Sequence, residues 1–559
     1  MERIATSRSN REIMAIRLAG AGAGAGGGED RPAILLVANL EGPRVFSSAM
    51  ALDHAWKLAE GYAADESSDG IRAFLDSTVV YIVPRVNPDA ADARFMQPLF
   101  ERTASGQGVD DDRDGRQGED PPSDVNGDGF ITQIRVLDPE GEWMGDPTDP
   151  RVLIKADRAK GERGKWKLYT EGRDLDGDER VAEDATNNAQ VDRNFPAGWQ
   201  AHDPESGLFP SDEPEVQGLM EFLLAHPEIV MVLTYGGEDN LVETPKGIKD
   251  DARSVKRVPP SGMRESDVKY LKELGERYRE TTTSKAKGKA SGEGRFTRWC
   301  YEHRGLWTLS AALWEMPDEA PSEEEDPAPE EAGEGEEEDP EDSAEESSEE
   351  KEADGGDKDK DREGKVKGKG KKKDEPKPSA DAKKLLWVDA VAPERFHPWK
   401  SYEHPELGTV EIGGFAPFAR LEPPDDDWAD MAQSHLDYLV SLGATLPRVG
   451  IAECTREELG DGVWRVTTIL ENDGLLPFQS RSMRLTRTTR PGKLRLELPE
   501  GATLLGGSLQ TLVTEIEGSG GREEVTWLVL SPDALAERIR VHFDSDHAGL
   551  AEATPEVKP

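Results

Sequence analysis

Cysteine is nearly missing from this chain, with only Cys300 and Cys454 in 559 residues. Two cysteines so far apart fit no metal-ligand spacing and exclude a scaffold built on disulfides. They leave open one bridge between distant segments or two buried thiols. Apolar residues are also few, at 35%, and the formal charge is −45, with 69 Lys and Arg against 114 Asp and Glu. A chain of that balance cannot bury its whole length, so part of it is expected not to fold. The lack of clustered basic residues argues against nucleic acid or anionic membrane as main partner. No run approaches the roughly 18 consecutive apolar residues of a membrane span, and the opening residues show no signal-peptide pattern.

What is present divides by composition. The length calls for two or three domains. Residues 1–317 alternate short apolar runs with helical spacing. Ile13–Leu18, Ala33–Ala38, Val79–Val83 and Ile229–Leu233 read as buried strands, and Ser47–Ala64 and Pro214–Ala225 as helices. That alternation predicts an α/β fold with a mixed, mostly parallel sheet covered by helices on both faces. Residues 318–384 are Glu/Asp/Pro/Ser followed by Lys/Gly/Asp and are expected to be a disordered insert. Residues 385–445 return to the first unit and include a helix over Asp425–Leu442. Residues 446–545 carry short alternating runs (VWRVTTIL, KLRLELP, EVTWLVL, RIRVHF) that predict an all-β sandwich, with a tail at 546–559. The start, SRSNREIMAIRL, reads as a turn and strand already inside a domain, so an upstream piece, with a targeting signal, is expected.

Within an inserted segment, 109–184, three acidic runs place carboxylates or an amide at alternate positions. They are Asp110, Asp112 and Asp114; Asp124, Asn126 and Asp128; and Asp174, Asp176 and Asp178. Alternate side chains of a tight loop converge, and oxygen sets of this kind suit a structural Ca²⁺. The middle run matches the first half of an EF-hand-type loop, but Arg135 stands where the bidentate Glu belongs. Solvated acidic turns are the plain alternative.

Five segments, in order, resemble carboxypeptidase A-type zinc carboxypeptidases. SRSNREI is similar to the "GxSxxGRxI" opening, and PAILLVANLEGPRVFSS to the strand and loop that carry a His-x-x-Glu zinc motif. VYIVPRVNPDA resembles "PxxNPDG", QVDRNFPAGW resembles "NRNFP", and SDEPEVQGLMEFL resembles the "SEPE" helix. The resemblance covers residues 1–445, and the acidic loops and β tail resemble a large secreted subgroup. It implies the family fold, an extracytoplasmic location and a zinc held by two imidazoles and a carboxylate, with a fourth position open for water.

The positions that should supply that chemistry hold other residues. Glu41 and Arg44 stand in the first motif, and a guanidinium has no lone pair to offer. Nine residues before Pro245, where the second His belongs, is Gly236. In GLWTLSAALW the general-base position is Ala312, and Glu315 lies three residues on, which in a strand turns it to the other face. His202-x-x-Glu205 has the motif spacing in the wrong part of the chain, and His303, His397, His404 and His435 are single histidines expected to be structural. The resemblance makes Asp192 and Arg193 the grip on a peptide carboxylate. Either Arg193 keeps that role or Asp192 neutralises it. Arg135 is a further carboxylate-binding candidate.

The expected function is a non-catalytic, carboxypeptidase-like protein that binds a peptide or protein, with calcium as structural cofactor and zinc absent. The alternative is an active zinc metallocarboxypeptidase that removes C-terminal residues. No nucleophile-elbow pattern supports another hydrolase.

Overall fold

The computed structural model describes residues 1–21, 31–64, 69–105, 120–177, 180–182, 189–250, 261–318, 377–424 and 427–558. In chain order it runs β1 (Glu2–Thr6), β2 (Glu12–Leu18), β3 (Ala33–Ala38), α1 (Val45–Ala63), α2 (Asp69–Ser77), β4 (Val79–Val83) and the single turn α3 (Pro88–Ala91). Four short strands follow, β5 (Gln133–Leu137), β6 (Trp143–Gly145), β7 (Leu153–Lys155) and β8 (Trp166–Thr170). Then come α4 (Pro214–Ala225), β9 (Ile229–Gly236), α5 (Glu265–Thr282), α6 (Phe296–Arg304) and β10 (Trp307–Ala312).

These elements build a six-stranded sheet in the order β1-β2-β4-β3-β9-β10. The four strands from β4 to β10 are parallel, and β2 and β1 are added antiparallel at one edge. β3 shows why its residues are all apolar. Ile34, Leu36 and Ala38 pack toward α1, α2, α5 and a later helix, α8, while Ala33, Leu35 and Val37 pack toward α4 and α6. A strand covered on both faces has no solvated side and reads as a continuous apolar run. β9 continues three residues beyond the expected end, to Gly236.

The acidic insert holds more than loops. β5–β8 join β11 (Phe396–His404) and β12 (Gly408–Phe415) in a second sheet, ordered β11-β12-β5-β8-β6-β7. Between the two halves lies α7 (Ala380–Val391), N-capped by the Ser379 hydroxyl, which accepts from Ala382 N. Residues 380–384, assigned by composition to the insert, are therefore helical, because Leu385, Trp387 and Val388 on the same helix have a core to enter. The rest of that stretch, 319–376, lies outside the described residues. α8 spans Trp428–Leu442 and returns to the main core.

The C-terminal part is β-rich. β13 (Val449–Gly460), β14 (Val463–Asn472), β15 (Gly492–Glu497), β16 (Thr503–Gly506), β17 (Gln510–Val513), β18 (Gly521–Leu530), β19 (Arg540–Ser545), β20 (Gly549–Ala553) and β21 (Glu556–Val557) form two sheets, and the short helices α9 (Arg481–Thr486) and α10 (Asp533–Ala536) lie between strands. Their orders are β16-β18-β14-β13-β21 and β17-β15-β19-β20. A shared core that includes Trp464, Trp527, Leu494 and Phe543 lies within this part. The strands extend into what was expected to be a tail, since β20 and β21 fall after residue 546. Both cysteines are buried free thiols, Cys300 on α6 and Cys454 on β13.

One buried acid in this frame stands out. Glu215, in the first turn of α4, is fully buried, and no other described residue hydrogen-bonds either of its oxygens. Burial, with Glu213 and Asp89 nearby, pushes its carboxyl from 4.5 up to about 8. The proton is therefore held more tightly folded than unfolded. Its stabilising contribution is complete below about pH 4.5 and is lost as the pH rises through about 8. Glu215→Gln, which mimics the protonated form, is expected to melt close to the parent at acidic pH and above it at alkaline pH. Parallel melting-temperature profiles for the two proteins would contradict this.

Candidate functional site

The carboxyl ends of β3, β9 and β10 meet at one place, the edge where open α/β sheets place their ligands. β10 is in register with β9, so Ala312 is paired with Gly236. β3 leads through Asn39 into a tight loop. Gly42 takes a φ of +63°, and a Cβ there would meet the Ala90 Cβ at 2.4 Å. That turn sets Glu41 and Arg44 against the end of β9. A Cβ on Gly237 would lie 2.4 Å from Glu41 Oε2 and 2.9 Å from Arg44 Nε, so the end of β9 rests directly on this pair. Gly236 itself faces open space, with nothing within 4 Å of a built Cβ. The 285–291 segment crosses over these strand ends. Lys289 N donates to Gly237 O at 2.8 Å, Asp239 N donates to Lys289 O at 2.9 Å, and Gly288 packs on Ala312.

The cleft floor is a cluster of charges. Arg44 Nε bonds Glu41 Oε2 at 2.7 Å. Arg295 Nη1 contacts Asp192 Oδ2 at 2.7 Å and Glu41 Oε1 at 3.3 Å, and its Nε lies 3.6 Å from Glu238 Oε1. Asp192 also accepts from Phe296 N at 2.9 Å, and Thr297 Oγ1 donates to Glu238 Oε2 at 2.5 Å. The Asp192, Glu238 and Arg295 side chains are 4%, 6% and 13% exposed, so these charges interact with little solvent between them. Burial works against ionising Glu41, yet Arg44 and Arg295 hold its carboxyl below the usual range. Burial, then the neighbouring Asp192, pushes the Glu238 carboxyl up. Burial pushes the Asp192 carboxyl up as well, against the pull of Arg295.

These donors do not suit zinc. A structural or catalytic zinc takes imidazole, thiolate or carboxylate ligands in close array. Here Glu41 is already bonded to two guanidiniums, and Gly236 has no side chain. Among the described residues, the His, Cys, Asp and Glu side chains that bring three ligand atoms within 4.8 Å of one another are Asp120, Asp174 and Asp176, remote from these strand ends in the acidic lobe. Glu315 does not replace a base at Ala312. It follows β10, its side chain is 47% exposed, its nearest cation is Lys384 at 3.9 Å, and it lines a separate cavity of about 730 Å³.

The remaining candidates disperse. Asp192 does not neutralise Arg193, because its partner is Arg295; Arg193 pairs instead with Asp203 at 2.5 Å and Glu205 at 3.1 Å. Glu205 is thus occupied, and His202 is an exposed residue with a φ of +70°. Arg135 is far from a carboxylate-binding role in the cleft. It lies on β5, bonded to Glu411 and sandwiched between the rings of Trp166 and Trp399. His404 Nε2 donates to Gly172 O, and His435 bonds Tyr278 and Met431 O. Burial lowers the His435 pKa to about 4, which fits a neutral structural ring.

Of the calcium candidates, Asp110, Asp112, Asp114 and Asp178 lie outside the described residues. Asp124, Asn126 and Asp128 turn their oxygens onto their own loop amides, at Gly127, Gly129, Asp128 and Phe130. Asp174 and Asp176 meet Asp120, whose Oδ1 accepts from Leu175 N and Asp176 N. Asp120 ends the first acidic run, and only the fold pairs it with the third. Sequence reasoning also missed Arg295 and Glu238. Arg295 lay in the plain string GRFTRW, with no motif to mark it.

The profile described as zinc carboxypeptidase matches residues 1–145 and 152–331, and one described as a domain of unknown function matches 448–556. No curated protein matches the sequence. Among solved structures, thrombin activatable fibrinolysis inhibitor aligns with a TM-score of 0.33 and 12% identity, over 56% of this chain and 62% of that one. Carboxypeptidase A from Helicoverpa armigera gives 0.32 and 10%, over 56% and 59%. A metallo-carboxypeptidase from Burkholderia cenocepacia gives 0.28 and 11%, over 56% and 55%. The chain thus spans less than two thirds of the length of each of these three.

The two glycines make the packing testable. Gly236→Ala is expected to be close to neutral in chemical denaturation. Gly237→Ala is expected to cost about 1–3 kcal/mol, the usual range for overpacking, because its Cβ enters the Glu41–Arg44 pair. Equal costs would show that the strand end does not rest on that pair.

Proposed function

The chain belongs to the zinc carboxypeptidase family, and we propose that it is a member that binds peptide or protein in the family's cleft without hydrolysing it. The observation that carries this reading is the 2.7 Å bond between Arg44 and Glu41, which ties the two residues at the first zinc motif to each other. Gly236 and Ala312, at the positions of the second imidazole and the base, support it. A bound zinc would polarise the scissile carbonyl and generate hydroxide; Arg44, Gly236 and Ala312 offer neither a ligand nor a proton acceptor, and the Glu41 carboxylate is bonded to Arg44 and Arg295.

What remains suits binding. Beside the charge cluster is a cavity of about 290 Å³, walled by Asp239, Pro245, Met263, Thr297, Tyr301 and Glu302. Its mixed apolar and polar lining suits one side chain of an extended peptide. Arg193 can receive a ligand carboxylate only by releasing Asp203 or Glu205, so recognition of a free C-terminus is a secondary feature of this reading. An active metallocarboxypeptidase is the second reading, favoured by the length of the family match.

Elemental analysis after dialysis against trace zinc, with a carboxypeptidase assay on the same sample, separates the two. Well under one zinc per chain and no hydrolysis is expected. One tightly held zinc with chelator-sensitive hydrolysis would establish the active enzyme. Calcium is read as structural, at Asp120, Asp174 and Asp176, and an extracytoplasmic location accords with it, because weak oxygen sites fill at the calcium levels outside cells. If calcium occupies that site, a chelator lowers the melting temperature and added calcium restores it. An unchanged melting curve would leave the acidic turns as solvated loops.

A further inference from the structure

Arg295 is held by the start of α6 and reaches carboxylates from three separate segments. Glu41 follows β3, Asp192 lies in the turn before Asn194, and Glu238 follows β9. Its placement is rigid. Gly294 takes a φ of +70° and packs on Arg193 O, where a Cβ would lie only 2.1 Å away, and its backbone exchanges hydrogen bonds with Phe195 and Ala197 at 2.9 Å each. The first turn of α6 adds Phe296 N to the Asp192 carboxylate, so the helix start and the guanidinium converge on one anion. Without Arg295, Arg44 is the guanidinium left to face three closely placed acids.

We propose that Arg295 is a built-in substitute for the family's metal. It is a positioning residue whose guanidinium draws the loops after β3 and β9 and the Asp192 turn together, so that the cleft is formed with no ion. The inference rests on assigning Glu41, Arg44 and Gly236 to the metal-binding positions, but not on any peptide being bound. A guanidinium can replace the metal's charge and its geometry of attachment, since it presents five donors in a plane. It has no vacant coordination site, so it cannot activate water. Structure and catalysis are thereby separated at one position, the first kept and the second lost.

The test is thermal and uses the full chain. Arg295→Ala removes one partner of a buried charge cluster and is expected to lower the melting temperature by roughly 6–20 °C. Millimolar methylguanidinium, which fits the vacated space, recovers a large part of that loss and leaves the parent protein unmoved. Arg295→Lys, which keeps the charge but not the fork, melts between the two. Should the alanine variant not fold unaided, the same comparison is made on its refolding yield with and without methylguanidinium. A melting temperature unchanged in Arg295→Ala, or a loss that methylguanidinium does not touch, would overturn the proposal. Loss of peptide binding is scored separately, so the failure of either idea shows without the other.

Discussion

A parallel sheet buried on both faces leaves its chain ends as the place where polar side chains can gather, and here that edge must hold three carboxylates that have little access to water. Each buried anion needs a partner or a proton. Arg295 and Arg44 supply the partners, and burial pushes the Asp192 and Glu238 carboxyls toward holding a proton. The loop after β3, the turn before Asn194, the end of β9 and the start of α6 all take their positions from this balance. The strap at 285–291 then closes over it through backbone bonds to Gly237 and Asp239.

Family membership rests on the frame, whereas the chemistry of the site rests on a few side chains. The frame that would place a metal is intact: β3, β9 and β10 end together, and Gly236 and Ala312 sit side by side. At the positions that the resemblance gives to the metal ligands and the base stand Glu41, Arg44, Gly236 and Ala312, and the first two bond to each other. A fold can be inherited without its activity, because the core and the site depend on different residues. The apolar runs that make the sheet need only volume and pattern, whereas a metal site needs particular donors at particular atoms.

The same economy of charge appears away from the cleft. In the second sheet, Arg135 is neutralised by Glu411 and covered by Trp166 and Trp399, which turns a lone cation into part of a wall. In the acidic turns, backbone amides take up much of the carboxylate charge, as Asp124 does with Gly127 and Gly129. A chain with a large acidic excess stays folded where each anion is given a local donor.

Much of the frame was legible in the residues themselves. Ala33–Ala38, Val79–Val83 and Pro214–Ala225 appear with the bounds read from their periodicity, and the alternating runs after residue 446 appear as strands of two sheets. The lobe sheet was hidden, since β5 pairs with β12 from the other side of a long insert, and β8 and β11 flank that pair. So was the cluster that fills the site: Arg295 meets Asp192 across 103 residues and Glu41 across 254. Secondary structure follows from neighbours a few residues apart, and the sequence by itself determined it. Which charge answers which is decided only when the folded chain excludes water and brings distant segments within bonding distance, and that the tertiary structure alone could settle.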